Sequence, residues 1–150
     1  MPATRILRTM RDRIRTLAES IPREEAFAVP PGFSNNIAWN IGHIFVTHQI
    51  LCYELSGLPM KIEPELRAMF AKGTSPASWK SEPDLELLYP KLTDLAEVFE
   101  RDYAAGLFEH YQPYTTSAGV ELRSIEDAIA FNNVHEGIHL GYVMAMRHVL

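Results

Sequence analysis

The sequence predicts an all-α protein, a four-helix bundle with a long crossover connection. Three observations lead there: four long segments repeat apolar residues at three- and four-residue spacing, no stretch alternates convincingly as a strand would, and one mid-chain connection is too long for a hairpin. At 150 residues the chain has the size of one domain, spanning 1–150, and can bury a core without disulfides.

The first helix is expected from about Ala3 to Ser20. Ile6, Leu7, Met10, Ile14, Leu17 and Ile21 form its apolar stripe, which leaves Arg5, Arg8, Arg11, Arg13 and Arg15 on the wet face. The basic start resembles a transit peptide, but the periodicity favours a helix of the fold. Pro22, Pro30 and Pro31 then punctuate the chain. The second helix runs from near Ser34 to about Ser56, stopped by Gly57 and Pro59. Between Leu58 and Ser81 lies the long connection, a crossover or a lid, with one short helix around Glu65 to Phe70.

The third helix is expected to start near Ser81, where Ser-Glu-Pro-Asp sets a carboxylate three residues beyond a capping hydroxyl. Leu88, Leu92, Leu95, Phe99 and Tyr103 make its stripe, and Pro90 bends it. The stretch "EHYQPYTTSAGVELR" reads as irregular, with a little extended structure. The fourth helix begins at Ser124, again with a capping pattern, and continues almost to the last residue.

Hydrophobic residues at 47% and charged residues at 22% are globular values, and no apolar run reaches the ~20 residues that span a bilayer. A soluble protein with no membrane partner is expected. A net charge of -5 argues against nucleic acid as a partner. Cys52 is the one cysteine, which suits a reducing cytoplasm and leaves nitrogen and oxygen as the metal donors.

Six histidines occur, at 43, 48, 110, 135, 139 and 148. His135 and His139 sit one helical turn apart, so their rings project side by side toward one ion. With Glu136 they spell His-Glu-x-x-His, the spacing of many zinc peptidases. A third ligand is required. His148 lies ~900 degrees further round, half a turn away from the pair, and the position of the longer peptidase extension holds Ala145. The peptidase reading is therefore set aside.

A third ligand must come from another helix, and "NNIAWNIGHIFVTHQI" offers His43 and His48. Ile37, Ile41, Ile44 and the Trp39 ring surround His43, whereas His48 is ~140 degrees away, so at most one of them faces inward. Asn36, Trp39, Asn40, Thr47 and Ile50 share or border the His43 face, a mixture suited to a buried polar site.

"WNIGHI" on the second helix and "HEGIHLGYV" on the fourth resemble the DinB/YfiT-like superfamily of metalloenzymes. In that family Trp-x-x-Gly-His and a late His-x-x-x-His supply three histidines to one divalent metal. The resemblance spans nearly the whole chain and implies His43, His135 and His139 as the ligands. Many members continue with Arg-Gly-Gln, where this chain has Leu140, Gly141 and Tyr142. A polar or cationic contact to substrate is thus missing at that place.

Three neutral imidazoles leave a divalent ion most of its charge and an open position, where a water or thiol loses its proton readily. Zinc, nickel and iron all suit that donor set. The resemblance implies a hydrolase or a thiol S-transferase acting on a small molecule, a low-molecular-weight thiol among the candidates, and a homodimer. The competing expectation is a non-catalytic, stress-related helical bundle with weak or vestigial metal binding. Glu136, next to a ligand, is a candidate base or pocket residue, with solvent the favoured direction, and Glu54, nearly back in phase with His43, is a weaker candidate base. Asn40 and Asn132 are candidates for orienting imidazoles. Trp39, Phe131 and Tyr142 are candidates for pocket walls. Ligation by neutral imidazole further predicts that metal affinity falls as pH drops through ~6.5.

Overall fold

A computed structural model describes residues 2–150 of the chain. Four long helices carry the fold: α1 (Pro2–Glu19), α3 (Ile37–Cys52), α6 (Pro90–Ala104) and α7 (Ile125–Val149). Three short ones, α2 (Arg23–Phe27), α4 (Pro64–Phe70) and α5 (Leu85–Leu88), lie in the connections. The architecture is all-α, as the periodicity predicts.

α3 begins where the Asn36 side chain accepts the Trp39 N–H, later than the expected Ser34. It ends in a 3-10 turn, Glu54–Ser56, closed by Gly57 at φ 72, a conformation that favours glycine. The expected start at Ser81 is also displaced. Asp84 is itself the cap, accepting the Glu86 N–H, and Pro90 lacks the N–H that would join α5 to α6. α7 starts as expected: Ser124 accepts the Asp127 N–H, and the Asp127 carboxylate accepts the N–H of Arg123. In the stretch before it, Tyr114–Thr115 pairs antiparallel with Glu121–Leu122.

α1 lies antiparallel to α6, since Arg8 reaches Glu97 and Glu100 while Arg15 reaches Thr93. α3 lies antiparallel to α7, with Asn40 beside His139 and Met146 and with His43 beside His135. By contrast α3 and α6 run the same way, His48 meeting Phe99 and Tyr53 meeting Asp102. Parallel neighbours cannot be joined by a tight turn, which accounts for the long crossover.

α3 is the central helix. Only Thr47 and Ile50 among its residues are not buried. A helix that is apolar on every side belongs in a core, and Ile37, Ile41, Ile44 and Phe45 are fully enclosed there by Ile14, Phe70 and Leu92. A second apolar cluster gathers Leu7, Tyr53, Phe99 and Ile129. Each such side chain contributes about 1.5–3 kcal/mol on burial.

Arg11 corrects the wet-face expectation for the first helix. It is fully buried, in line with Leu7, Ile14 and Ala18, whereas Ile6 of the expected stripe is exposed. No helix among the described residues is long and apolar enough to cross a membrane. The outer face of α7 leaves Val134, Ile138 and Val149 exposed.

Candidate metal centre

Three imidazoles converge from the two antiparallel helices α3 and α7. His43, His135 and His139 each offer a ligand atom, and these atoms lie within 4.8 Å of one another. Ring centroids are 5.1 Å apart for His43 and His135, 4.8 Å for His43 and His139, and 4.5 Å for the i, i+4 pair on α7.

The hydrogen bonds behind the rings decide which nitrogens are free. His43 Nδ1 is 2.7 Å from the Phe70 carbonyl oxygen, which can only accept, so Nδ1 carries the proton and Nε2 keeps its lone pair. Asn40 donates its Nδ2 to the Asn36 carbonyl at 2.8 Å, which turns its Oδ1 toward His139 Nδ1 at 2.7 Å. His139 is therefore also protonated on Nδ1 and open on Nε2. Its Nε2 faces His135 Nε2 at 3.2 Å, while His135 Nδ1 is buried without a partner. Nitrogens sharing one zinc-like ion stand about 3.3 Å apart, given metal-nitrogen lengths of about 2.0–2.1 Å and tetrahedral angles. The α7 pair already has that separation, so the donor set fits a divalent ion.

Electrostatics suit the same purpose. Burial lowers His43 below the usual imidazole value, with the Phe70 hydrogen bond opposing in part. Burial, then the neighbouring His43 and the Arg11 charge, brings His135 down to about 4. Burial, then His135 and His43, brings His139 down to about 3. All three rings stay neutral near pH 7 and available as donors.

This shifts the expected pH dependence. Proton competition with a metal moves from ~6.5, the value of a free imidazole, toward about 4. It also fixes a sign for stability. An unfolded chain takes up protons on these histidines near ~6.5 while the folded one does not, so the unfolded state binds more protons below that pH. Metal-free protein should lose stability as pH falls from 7.5 to 5, and the loss from these groups should level off below the folded values of about 4 and about 3. Urea midpoints measured across that range check this, and equal midpoints at pH 7.5 and pH 5 would contradict it.

Trp39 stacks on His43, one turn along, with centroids 4.4 Å and planes 13° apart, and its indole N–H donates to Thr74 Oγ1 at 2.9 Å. Gly42 leaves room for Phe70, whose carbonyl holds His43; a Cβ at Gly42 would stand 2.3 Å from the fully buried Phe70 ring. Gly42→Ala should therefore displace Phe70, destabilise the fold by about 1–3 kcal/mol and weaken metal binding. Paired urea titrations and metal titrations of the variant test both effects.

A cleft of about 490 Å³ opens over the histidines. Ile50, Leu51, Leu55 and Phe131 give it apolar walls, and Thr47 sits at its floor with its hydroxyl 3.2 Å from His43 Nε2. Phe131 lies nearly parallel to His135 at 6.5 Å. Tyr142 is outside this cleft. It flanks His139 at 6.1 Å on the side of a smaller cavity that also touches Trp39 and Asn40.

Glu136, expected in solvent, points into the core. It is 1% exposed, and its carboxylate accepts from Arg11 Nε at 2.9 Å, Arg11 Nη2 at 2.7 Å and Asn132 Nδ2 at 2.7 Å. Arg11 also donates to the Leu92 carbonyl at 3.1 Å, tying α1, α6 and α7 together. A carboxylate so engaged is no general base, which removes the remaining content of the His-Glu-x-x-His match. Asn132 donates to Glu136 and makes no hydrogen bond to an imidazole, whereas Asn40 holds the imidazole across from it on α7 and not the one on its own helix.

His48 corrects the phase argument, because it is buried along with His43. Its ring packs edge-on against Phe99 at 4.6 Å, neither nitrogen has a partner, and burial with the nearby Arg11 holds it well below its ordinary value. Helical phase selects one face only where a helix has a wet side, and α3 has none. The Phe70 carbonyl went unforeseen because a backbone group leaves no mark in the sequence. Arg11 did leave one: it falls four residues after Leu7 and three before Ile14.

A helical bundle that gathers three neutral imidazoles beside a cleft, two of them held by hydrogen bonds at Nδ1, is compatible with a metal-binding protein. The DinB superfamily model matches residues 6–143, and the chain belongs to that superfamily. No curated protein matches it significantly.

Proposed function

We propose that this single-domain protein, 1–150, holds one divalent ion, zinc, nickel or iron, through His43, His135 and His139, and works as a cytoplasmic hydrolase or thiol S-transferase on a small molecule. The observation that carries the reading is the pair of Nδ1 hydrogen bonds to Phe70 and Asn40, which leave Nε2 of His43 and His139 as the donor atoms in a group of three that lie within 4.8 Å of one another. Imidazoles buried for packing alone have no need of this alignment. When bound, such an ion would acidify a water or thiol at its open position.

The chain's own groups divide the remaining work. Phe70 and Asn40 hold two imidazoles in register, Trp39 fixes a ring plane, and the Thr47 hydroxyl stands where it can hydrogen-bond to whatever fills the open position. The apolar walls of the cleft shield the floor from bulk water. A homodimer through the exposed Val134, Ile138 and Val149 face of α7 is part of the same proposal.

Elemental analysis of protein purified without a histidine tag tests the reading. About one metal per chain is expected. Metal-free protein that also refuses added zinc, nickel and iron would leave the non-catalytic bundle as the better account.

A further inference from the structure

The charge lining the cleft is not balanced. Lys72 borders it, just beyond the α4 residue Phe70 that holds His43, and no ion pair engages its ammonium among the described residues. Glu54 also borders the cleft, but its carboxylate is taken by Arg67 at 2.7 Å. The histidines at the floor are neutral. The rest of the lining is mostly apolar, with Ile50, Leu51, Leu55 and Phe131 beside Tyr114 and the hydroxyls of Thr47, Thr116 and Ser117. An occupant of this one cleft therefore meets imidazole donor nitrogens, a mostly apolar lining and a cation that no ion pair engages.

We infer that the cleft takes a small organic monocarboxylate, held with its carboxylate at Lys72 and with a metal-binding atom at the far end of a short apolar segment. The inference rests on the metal reading above and adds a substrate class to it. A neutral or cationic molecule of the same shape leaves Lys72 unpaired or repelled. A dianion meets only one free cation.

Cobalt(II)-loaded protein supplies the test, because a thiolate bound to cobalt gives a charge-transfer absorption that reports binding directly. Mercaptohexanoate and mercaptohexanol share a thiol and an apolar segment and differ in the carboxylate. The acid should bind about fivefold tighter at low salt, the scale of a partly exposed ion pair, and the advantage should shrink as salt is added. Lys72→Met should bring the two within about twofold by weakening the acid alone, and Lys72→Arg should keep most of the difference. Equal binding of the two thiols to the unmodified protein, or a preference that survives Lys72→Met, overturns the inference while the metal reading stands. Protein that takes up no cobalt shows no visible spectrum before any thiol is added, which overturns the metal reading and this inference with it.

Discussion

Replacing Glu136 by alanine should destabilise the protein by about 3–5 kcal/mol, because it strands the Arg11 guanidinium in the core without its carboxylate. Both partners are sealed from solvent, at 0% and 1% side-chain exposure, so water cannot replace the lost contact. Asn132 would lose its acceptor in the same step. Arg11→Met should be damaging by a similar mechanism, leaving a buried carboxylate unpaired. The double variant Arg11→Met with Glu136→Met should recover much of the loss, since a buried ion pair exchanged for apolar residues of similar volume is often close to neutral. Urea unfolding of the two single variants and the double variant measures the coupling. A Glu136→Ala protein within about 0.5 kcal/mol of the parent would place the carboxylate in solvent after all. The same experiment separates this arrangement from a peptidase, in which the glutamate of His-Glu-x-x-His serves the reaction and its loss spares the fold.

His139→Ala should abolish stoichiometric metal binding, taking content from about one ion per chain to none. Two donors on different helices then remain, below the three that sites of this kind use. Asn40→Ala tests the outer support: the three imidazoles persist, but His139 loses the acceptor that keeps its proton on Nδ1. Affinity should fall by about 10–100-fold without loss of stoichiometry, the usual effect of removing an outer-shell partner. Competition titrations against a chromophoric chelator distinguish the two outcomes. Full metal content in His139→Ala would mean that the ion lies elsewhere, and an unchanged affinity in Asn40→Ala would deny its 2.7 Å contact with His139 any part in binding.

Much of the scaffold was legible because helices announce themselves locally. The Ser124 cap, the stop at Gly57, the short helix ending at Phe70 and the interruption at Pro90 are all written within a few residues of where they act. Errors arose where two local signals competed. Where one helix was expected from Ser81, a cap and a proline competed: Asp84 caps only the short α5, and the third long helix, α6, begins afresh at Pro90 without a side-chain cap. In α1 the arginines looked uniformly solvent-facing, although Arg11 stood in register with the buried stripe. Its partner Glu136 is 125 residues away, and a charge in a core position makes sense only once that partner is known.

What the sequence determined by itself was the helical class, the long crossover and the placement of His135 and His139 on one face, since a period of 3.6 residues is enough to make i and i+4 neighbours. Tertiary structure alone decided that His43 meets that pair, that Asn40 and the Phe70 carbonyl set their tautomers, that His48 is sealed away beside Phe99, and that Glu136 turns toward Arg11. The reason is physical. Spacing along one helix is fixed by backbone geometry, whereas the meeting of two helices depends on how all their side chains pack at once, and the groups that orient a ring can be backbone atoms with no residue identity to read.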